Sequence, residues 1–191
     1  MEVNLSDAAW EAMYAPYDQP TYQDVLDQLT TSDMILDVGA GDLRLARQMA
    51  RIAKKVYAIE NNGWVLKQGL TSRDPLPDNL IPIHADARAL EFPTDITIGV
   101  LLMRHCTQFR LYSEKLRTAG ARTLITNARW HMSVEEVDLW EERKSFSDIG
   151  MGWYACWCGA TGFKTGPAEQ WSNELDSVTH EVADCPQCRQ V

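Results

Sequence analysis

Short apolar runs recur along the first two thirds of the chain. Met34–Asp37, Lys55–Glu60, Leu80–His84 and Asp95–Met103 each carry closely spaced apolar residues, and Arg122–Asn127 follows the same style. Runs of this length without strict alternation predict strands buried on both faces. Between them the period becomes helical. Tyr22, Val25, Leu26 and Leu29 share one face of a helix over Thr21–Leu29, entered just after Pro20. Leu43, Ala46, Ala50 and Ala53 share one over Leu43–Ala53. Trp64–Leu70 and Arg110–Thr118 read as further helices, and Val134–Arg143 as a charged amphipathic one. Arg73–Asn79, rich in proline and aspartate, is a connecting loop. Strands alternating with helices predict an α/β domain, its parallel sheet covered on both faces. There is no internal repeat and no low-complexity tract.

The most informative stretch is Ile35–Asp42. An apolar run ends at Asp37, and two glycines, Gly39 and Gly41, flank Ala40 before the next helix. Glycines there permit a sharp turn and let a ligand lie against the backbone. A dinucleotide fingerprint requires a third glycine three places after the second, where this chain has Arg44. A phosphate-binding loop requires Gly-Lys-Ser/Thr, which is absent. Glu60, at the end of the second strand, suits ribose hydroxyls in either a dinucleotide or a nucleoside site.

Composition narrows the class. A chain of 191 residues with 45% hydrophobic and 24% charged residues is an ordinary globular protein with room for one core and a small appendage. No apolar run approaches the roughly 20 residues of a membrane helix. Met1–Ser6 has no basic region leading into an apolar stretch, so no secretory signal is expected and the expected location is cytoplasmic. The net charge of −9 opposes long-range attraction to a phosphate backbone, which makes nucleic acid a less favoured partner. Cys106 stands alone, whereas Cys156, Cys158, Cys185 and Cys188 crowd the C-terminal end. Without an export signal such clustering suggests metal more than disulfides.

Asp37-x-Gly39-x-Gly41, then Glu60, then His84-Ala85-Asp86-Ala87 stand in order at the ends of three successive strands. Over roughly residues 20–127 this resembles the class I S-adenosylmethionine-dependent methyltransferases. The resemblance implies a Rossmann-like, seven-strand-type sheet, mostly parallel with a terminal antiparallel hairpin, flanked by helices. It implies that Asp37, Gly39, Ala40 and Gly41 line the methionine and ribose of S-adenosyl-L-methionine. Glu60, with Asn61 beside it, takes the ribose hydroxyls, and Asp86 and Ala87 meet the adenine. Carboxylates accept from hydroxyl and amino groups, and glycines remove bulk. The third glycine common in the family is here Leu43. Read this way, residues 1–32 form an N-terminal lid or substrate segment, 33–149 the cofactor-binding core and 150–191 a C-terminal hairpin that completes the same domain.

Chemistry is expected at the loop after the fourth strand, Met103–Thr107. The Asn/Asp-Pro-Pro-Tyr motif of the base-amine methylating enzymes is absent there. His105 is a candidate general base, since an imidazole exchanges protons near neutrality. Arg104 is a candidate partner for a substrate carboxylate or phosphate. Both also suit structural hydrogen bonds at a strand end. Cys106 lacks the Pro-Cys context of the cytosine C5 enzymes and reads as a buried thiol. Tyr14, Tyr17 and Tyr22, with Trp10 and Met13, suit either a lid over the cofactor or the core of a leading helix.

Cys156-x-Cys158 and Cys185-x-x-Cys188 are two chelating pairs, suited to a structural zinc; four thiolates also suit an iron–sulfur cluster. In the family the last two strands pair antiparallel. Gly162–Thr165 and Val178–Ala183 read as that pair, which brings the cysteine pairs together. His180 is a spare ligand or an ordinary strand residue. The acceptor stays open between a small molecule and a protein side chain. The alternatives are RNA or a larger assembly with a partner protein docked through the zinc element, which requires residues 44–55 and 110–122 to form one basic face, and a cofactor-binding scaffold without chemistry.

Overall fold

A computed structural model describes residues 14–72, 74–131, 133–172, 175 and 178–188. Trp10, Met13 and Arg73 lie outside the described residues. The element order is α1 (Gln19–Leu26), β1 (Met34–Val38), α2 (Arg44–Met49), β2 (Lys55–Glu60), α3 (Gly63–Leu70), β3 (Leu80–His84), β4 (Ile98–Leu101), α4 (Phe109–Thr118), β5 (Thr123–Thr126) and β6 (Glu135–Asp138). These are followed by β7 (Gly152–Cys156), β8 (Thr161–Lys164), a 3-10 turn (Ala168–Gln170) and β9 (Thr179–Val182). No helix among the described residues is long and apolar enough to cross a membrane.

The main sheet has the order β3-β2-β1-β4-β5-β6. Its first five members in that order run parallel, and β6 runs antiparallel to β5, with Leu124 opposite Val137. Alternate strand residues feed two cores. Ile35, Val56, Val100 and Ile125 pack with α1, α2 and α3, whereas Leu36, Ile59, Leu101 and Leu124 pack with α4. The chain therefore reverses its winding between β1 and β4. In open α/β sheets ligands bind at that point, beyond the carboxyl ends of the strands.

Three expectations change. The segment Val134–Arg143 is a strand and a turn, not a helix. Val137 and Leu139 are buried while Glu136 is exposed, the alternation of an edge strand with one covered face. The antiparallel partner of the main sheet is thus β6, so among the described residues the sheet has six strands instead of seven. The C-terminal strands form a second sheet, β8-β7-β9. The segments expected to pair with one another instead flank β7, β8 antiparallel and β9 parallel to it.

The two sheets are joined by ion pairs. Arg129, 3% exposed, bonds Glu135 of β6 at 2.6 and 2.8 Å and Glu181 of β9 at 2.8 Å. A lysine keeps the charge but not the planar fork. Arg129→Lys is expected to lower stability by about 2 kcal/mol in urea unfolding.

Candidate functional site

A cavity of about 900 Å³ opens at the carboxyl ends of the main sheet. Its wall includes Asp37, Gly39, Ala40, Gly41, Glu60, Asn61, Asp86 and Ala87, and also Arg104 and His105. The cofactor residues inferred from sequence and both candidate catalytic residues therefore meet in one space. Cys106 is not on that wall; it is half-buried at the edge of the core beneath α4.

The turn after β1 explains the glycines. Gly39 and Gly41 hold φ of +81° and +56°, which side-chain-bearing residues rarely adopt. A Cβ on Gly39 would lie 3.1 Å from the Met103 methyl, and one on Gly41 would clash with the Tyr14 ring. The backbone N–H groups of Gly39 and Ala40 both donate to the Ile59 carbonyl at 2.9 Å, so β2 fixes the turn. Leu43, where the family's third glycine would stand, is also left-handed at φ 64°. Its fully buried side chain holds a conformation that costs of order 1 kcal/mol.

Asp37 is the electrostatic centre of the site. Its side chain is buried, and Oδ2 accepts no hydrogen bond among the described residues. Burial, and secondarily the charge of Glu60, push its pKa up to about 7. Such a carboxylate is suited to a donor or cation arriving with a ligand. Glu60 accepts from the backbone N–H of Gly41 at 2.8 Å and of Asn62 at 2.6 Å, which orients its carboxylate and leaves lone pairs for further donors. Asp86 is gripped by the Arg88 guanidinium at 2.7–3.0 Å, and this hydrogen bonding holds its pKa down at about 2. It stays an ionised acceptor.

The opposite wall comes from the N-terminal segment and the loop after β4. Tyr14 and Tyr17 line the cavity; Tyr22 does too, but is buried in the core on α1. The Tyr17 hydroxyl accepts from the Arg104 backbone N–H at 3.1 Å, and the Arg104 guanidinium lies 4.8 Å from the centre of the Tyr17 ring. His105 meets the His131 ring edge-on, with centroids 5.8 Å apart. Thr107, in the loop already singled out, is on this wall, and sequence reasoning missed Asp18 and Tyr112 there. Tyr112 stands one turn into α4, just past the loop already singled out, and that position was the available signal.

The four cysteines converge at the C-terminal ends of β7 and β9. Parallel pairing puts Cys156 opposite Val182, so the turn after each strand delivers one pair to the same place. Their sulfurs all lie within 4.8 Å of one another. Cys156 to Cys188 is 3.9 Å and Cys158 to Cys185 is 3.7 Å. A tetrahedral zinc with bonds of about 2.3 Å requires sulfurs about 3.8 Å apart, so the set fits. The Cys185 N–H also donates to the Cys188 sulfur at 3.2 Å. His180, mid-strand opposite Tyr154, is not part of the group.

No family model matches the chain, and no curated protein matches it. Solved structures do. A precorrin 8w decarboxylase from Methanobacterium thermoautotrophicum is 21% identical, with a TM-score of 0.52 over 59% of this chain and 64% of that one. The YcgJ protein of Bacillus subtilis is 13% identical, with a TM-score of 0.51 over 57% of this chain and 50% of that one. The chain thus spans half to just under two thirds of their lengths. An RNA methyltransferase from Salinibacter ruber, in complex with S-adenosyl-L-homocysteine, is 17% identical over 59% of this chain and 76% of that one, with a TM-score of 0.48. What the chain has in common with the first two is its fold alone, a Rossmann-like, mostly parallel sheet flanked by helices.

Proposed function

We propose that this protein is an S-adenosylmethionine-dependent methyltransferase acting on a small molecule or a protein side chain. The observation that carries the reading is the convergence, in one cavity, of two left-handed glycines, a buried carboxylate with an unpartnered oxygen, and two further acids at strand ends. When bound, S-adenosylmethionine supplies an electrophilic methyl group on a sulfonium sulfur. Asp37 offers its free oxygen to the ligand's methionine and ribose end, Glu60 accepts from the ribose hydroxyls with Asn61 beside it, and Asp86 with Ala87 receives the adenine. Gly39, Ala40 and Gly41 give the ligand room against the backbone. Arg104 and His105 stand across the cavity, where the guanidinium orients an anionic acceptor and the imidazole takes the proton that the methylated atom releases. Catalysis then rests mainly on orientation.

Charge and shape support this choice of acceptor class. The chain carries a net charge of −9. The two basic stretches, 44–55 and 110–122, belong to helices that cover opposite faces of the sheet, so they form no common basic surface. Both facts weigh against a nucleic-acid acceptor. Structural zinc on the four cysteines completes the reading.

Incubating the protein with methyl-labelled cofactor and cell extract, then separating protein, RNA and small molecules, tests it. Label is expected in the protein or small-molecule fraction. Label in RNA would move the reading to the RNA alternative, and label in none would favour a cofactor-binding scaffold.

A further inference from the structure

The cysteine knuckle packs against the helix that leaves the acceptor side of the cavity. Trp157, between the ligands Cys156 and Cys158, is 8% exposed and belongs to the core that contains Phe109, Tyr112 and Leu116 of α4. Its indole N–H donates to Glu114 of α4 at 3.4 Å, and the Arg143 guanidinium lies 4.0 Å from the centre of its ring. Gly159, in the same turn at φ +97°, sits so close to α4 that a Cβ there would lie 2.8 Å from the Phe109 Cβ. Phe109 is the first residue of α4. The loop just before it carries Met103, Arg104, His105 and Thr107 to the cavity wall, and Tyr112 of α4 reaches the same wall. The acids and glycines of the cofactor half stand on β1, β2 and β3, on the other side of β4 in the sheet.

We propose that the knuckle is a positioning element for the acceptor half of the site. Trp157 and Gly159 are positioning residues. They press on α4 at Glu114 and Phe109 and thereby fix where Arg104, His105 and Tyr112 stand. The metal bound by the four cysteines sets the shape of the turn that does this. The name "acceptor half" rests on the methyl-transfer reading, whereas the mechanical coupling does not. Cofactor affinity and acceptor geometry are therefore separable: loosening the knuckle unfastens residues 102–112 and spares 35–60.

Hydrogen exchange of the zinc-loaded full-length protein, followed by peptide, tests this. Gly159→Ala pushes on Phe109 without removing a ligand, and Trp157→Phe removes the indole N–H that Glu114 accepts. In either variant, zinc content is expected to match the parent, exchange over 102–112 to quicken about tenfold, and exchange over 35–60 to stay unchanged. Affinity for S-adenosylmethionine is expected within about twofold of the parent. Removing zinc with a chelator is expected to quicken exchange over β7–β9 as well as 102–112, and to leave 35–60 unchanged. Unchanged exchange at 102–112 in both variants would overturn the proposal, and so would equal quickening in both regions. If the parent itself binds no S-adenosylmethionine, the methyltransferase reading fails, and the exchange pattern still decides the coupling.

Discussion

Replacing Asp37 with asparagine is expected to stabilise the free protein at pH 8 by up to about 4 kcal/mol and to weaken S-adenosylmethionine binding at least tenfold. The carboxyl is buried, with one oxygen unpartnered, and its pKa stands at about 7 against an ordinary 3.8. Between those two values the folded protein holds a proton that the unfolded chain releases. Stability therefore falls as pH rises from about 4 to about 7, and stays at the lower level above that. Asparagine has no charge to bury and removes the dependence. It also replaces one acceptor oxygen with an NH2 donor and removes the negative charge that the ligand's donors would meet, so the gain in stability comes with a loss of binding. Urea unfolding at pH 5 and pH 8, alongside calorimetry, checks both. A variant no more stable than the parent at pH 8 would mean that Asp37 is not a strained carboxylate.

Cys185→Ser is expected to empty the metal site and unfold the second sheet. Cys185 is fully buried, its sulfur lies 3.7 Å from that of Cys158, and its N–H binds the Cys188 sulfur. In small metal domains zinc contributes roughly 10–16 kcal/mol of apparent binding free energy, most of it coupled to folding. The core here is thin: Ile149, Tyr154 and Val182 with the cysteines, edged by Phe146 and Ala160. Apolar burial of that size does not replace the metal. Elemental analysis is expected to find about one zinc per chain in the parent and almost none in the variant, with strand signal lost from circular dichroism. Iron in the parent would replace the zinc assignment with a cluster, and no metal in either would remove it.

The parallel strands were legible because burial on both faces leaves closely packed apolar residues, as in Met34–Val38 and Ile98–Leu101. Strand β6 was not. Glu135–Asp138 buries one face only, and the spacing of Val134 and Val137 suits a helix turn as well as an edge strand. Strand β7 was hidden by Gly152, Trp153 and Cys156, a composition that suggests a loop. Missing it left β8 and β9 to be paired with each other. The cysteine juxtaposition was nonetheless anticipated, since the two chelating pairs already implied a shared ligand. The glycines and acids that line the cavity could be read because their places at strand ends have local causes. Asp18 could not, because only the packing of the segment entering α1 brings it to the cavity, whereas Tyr112 had a signal in its place just past Met103–Thr107.

Titration of S-adenosylmethionine into the purified protein, followed by calorimetry, tests the central claim most directly. One site per chain is expected, weakened at least tenfold by Glu60→Ala, with no binding of a nicotinamide dinucleotide. No heat with S-adenosylmethionine, or an affinity that Glu60→Ala and Asp37→Asn both leave unchanged, would contradict it.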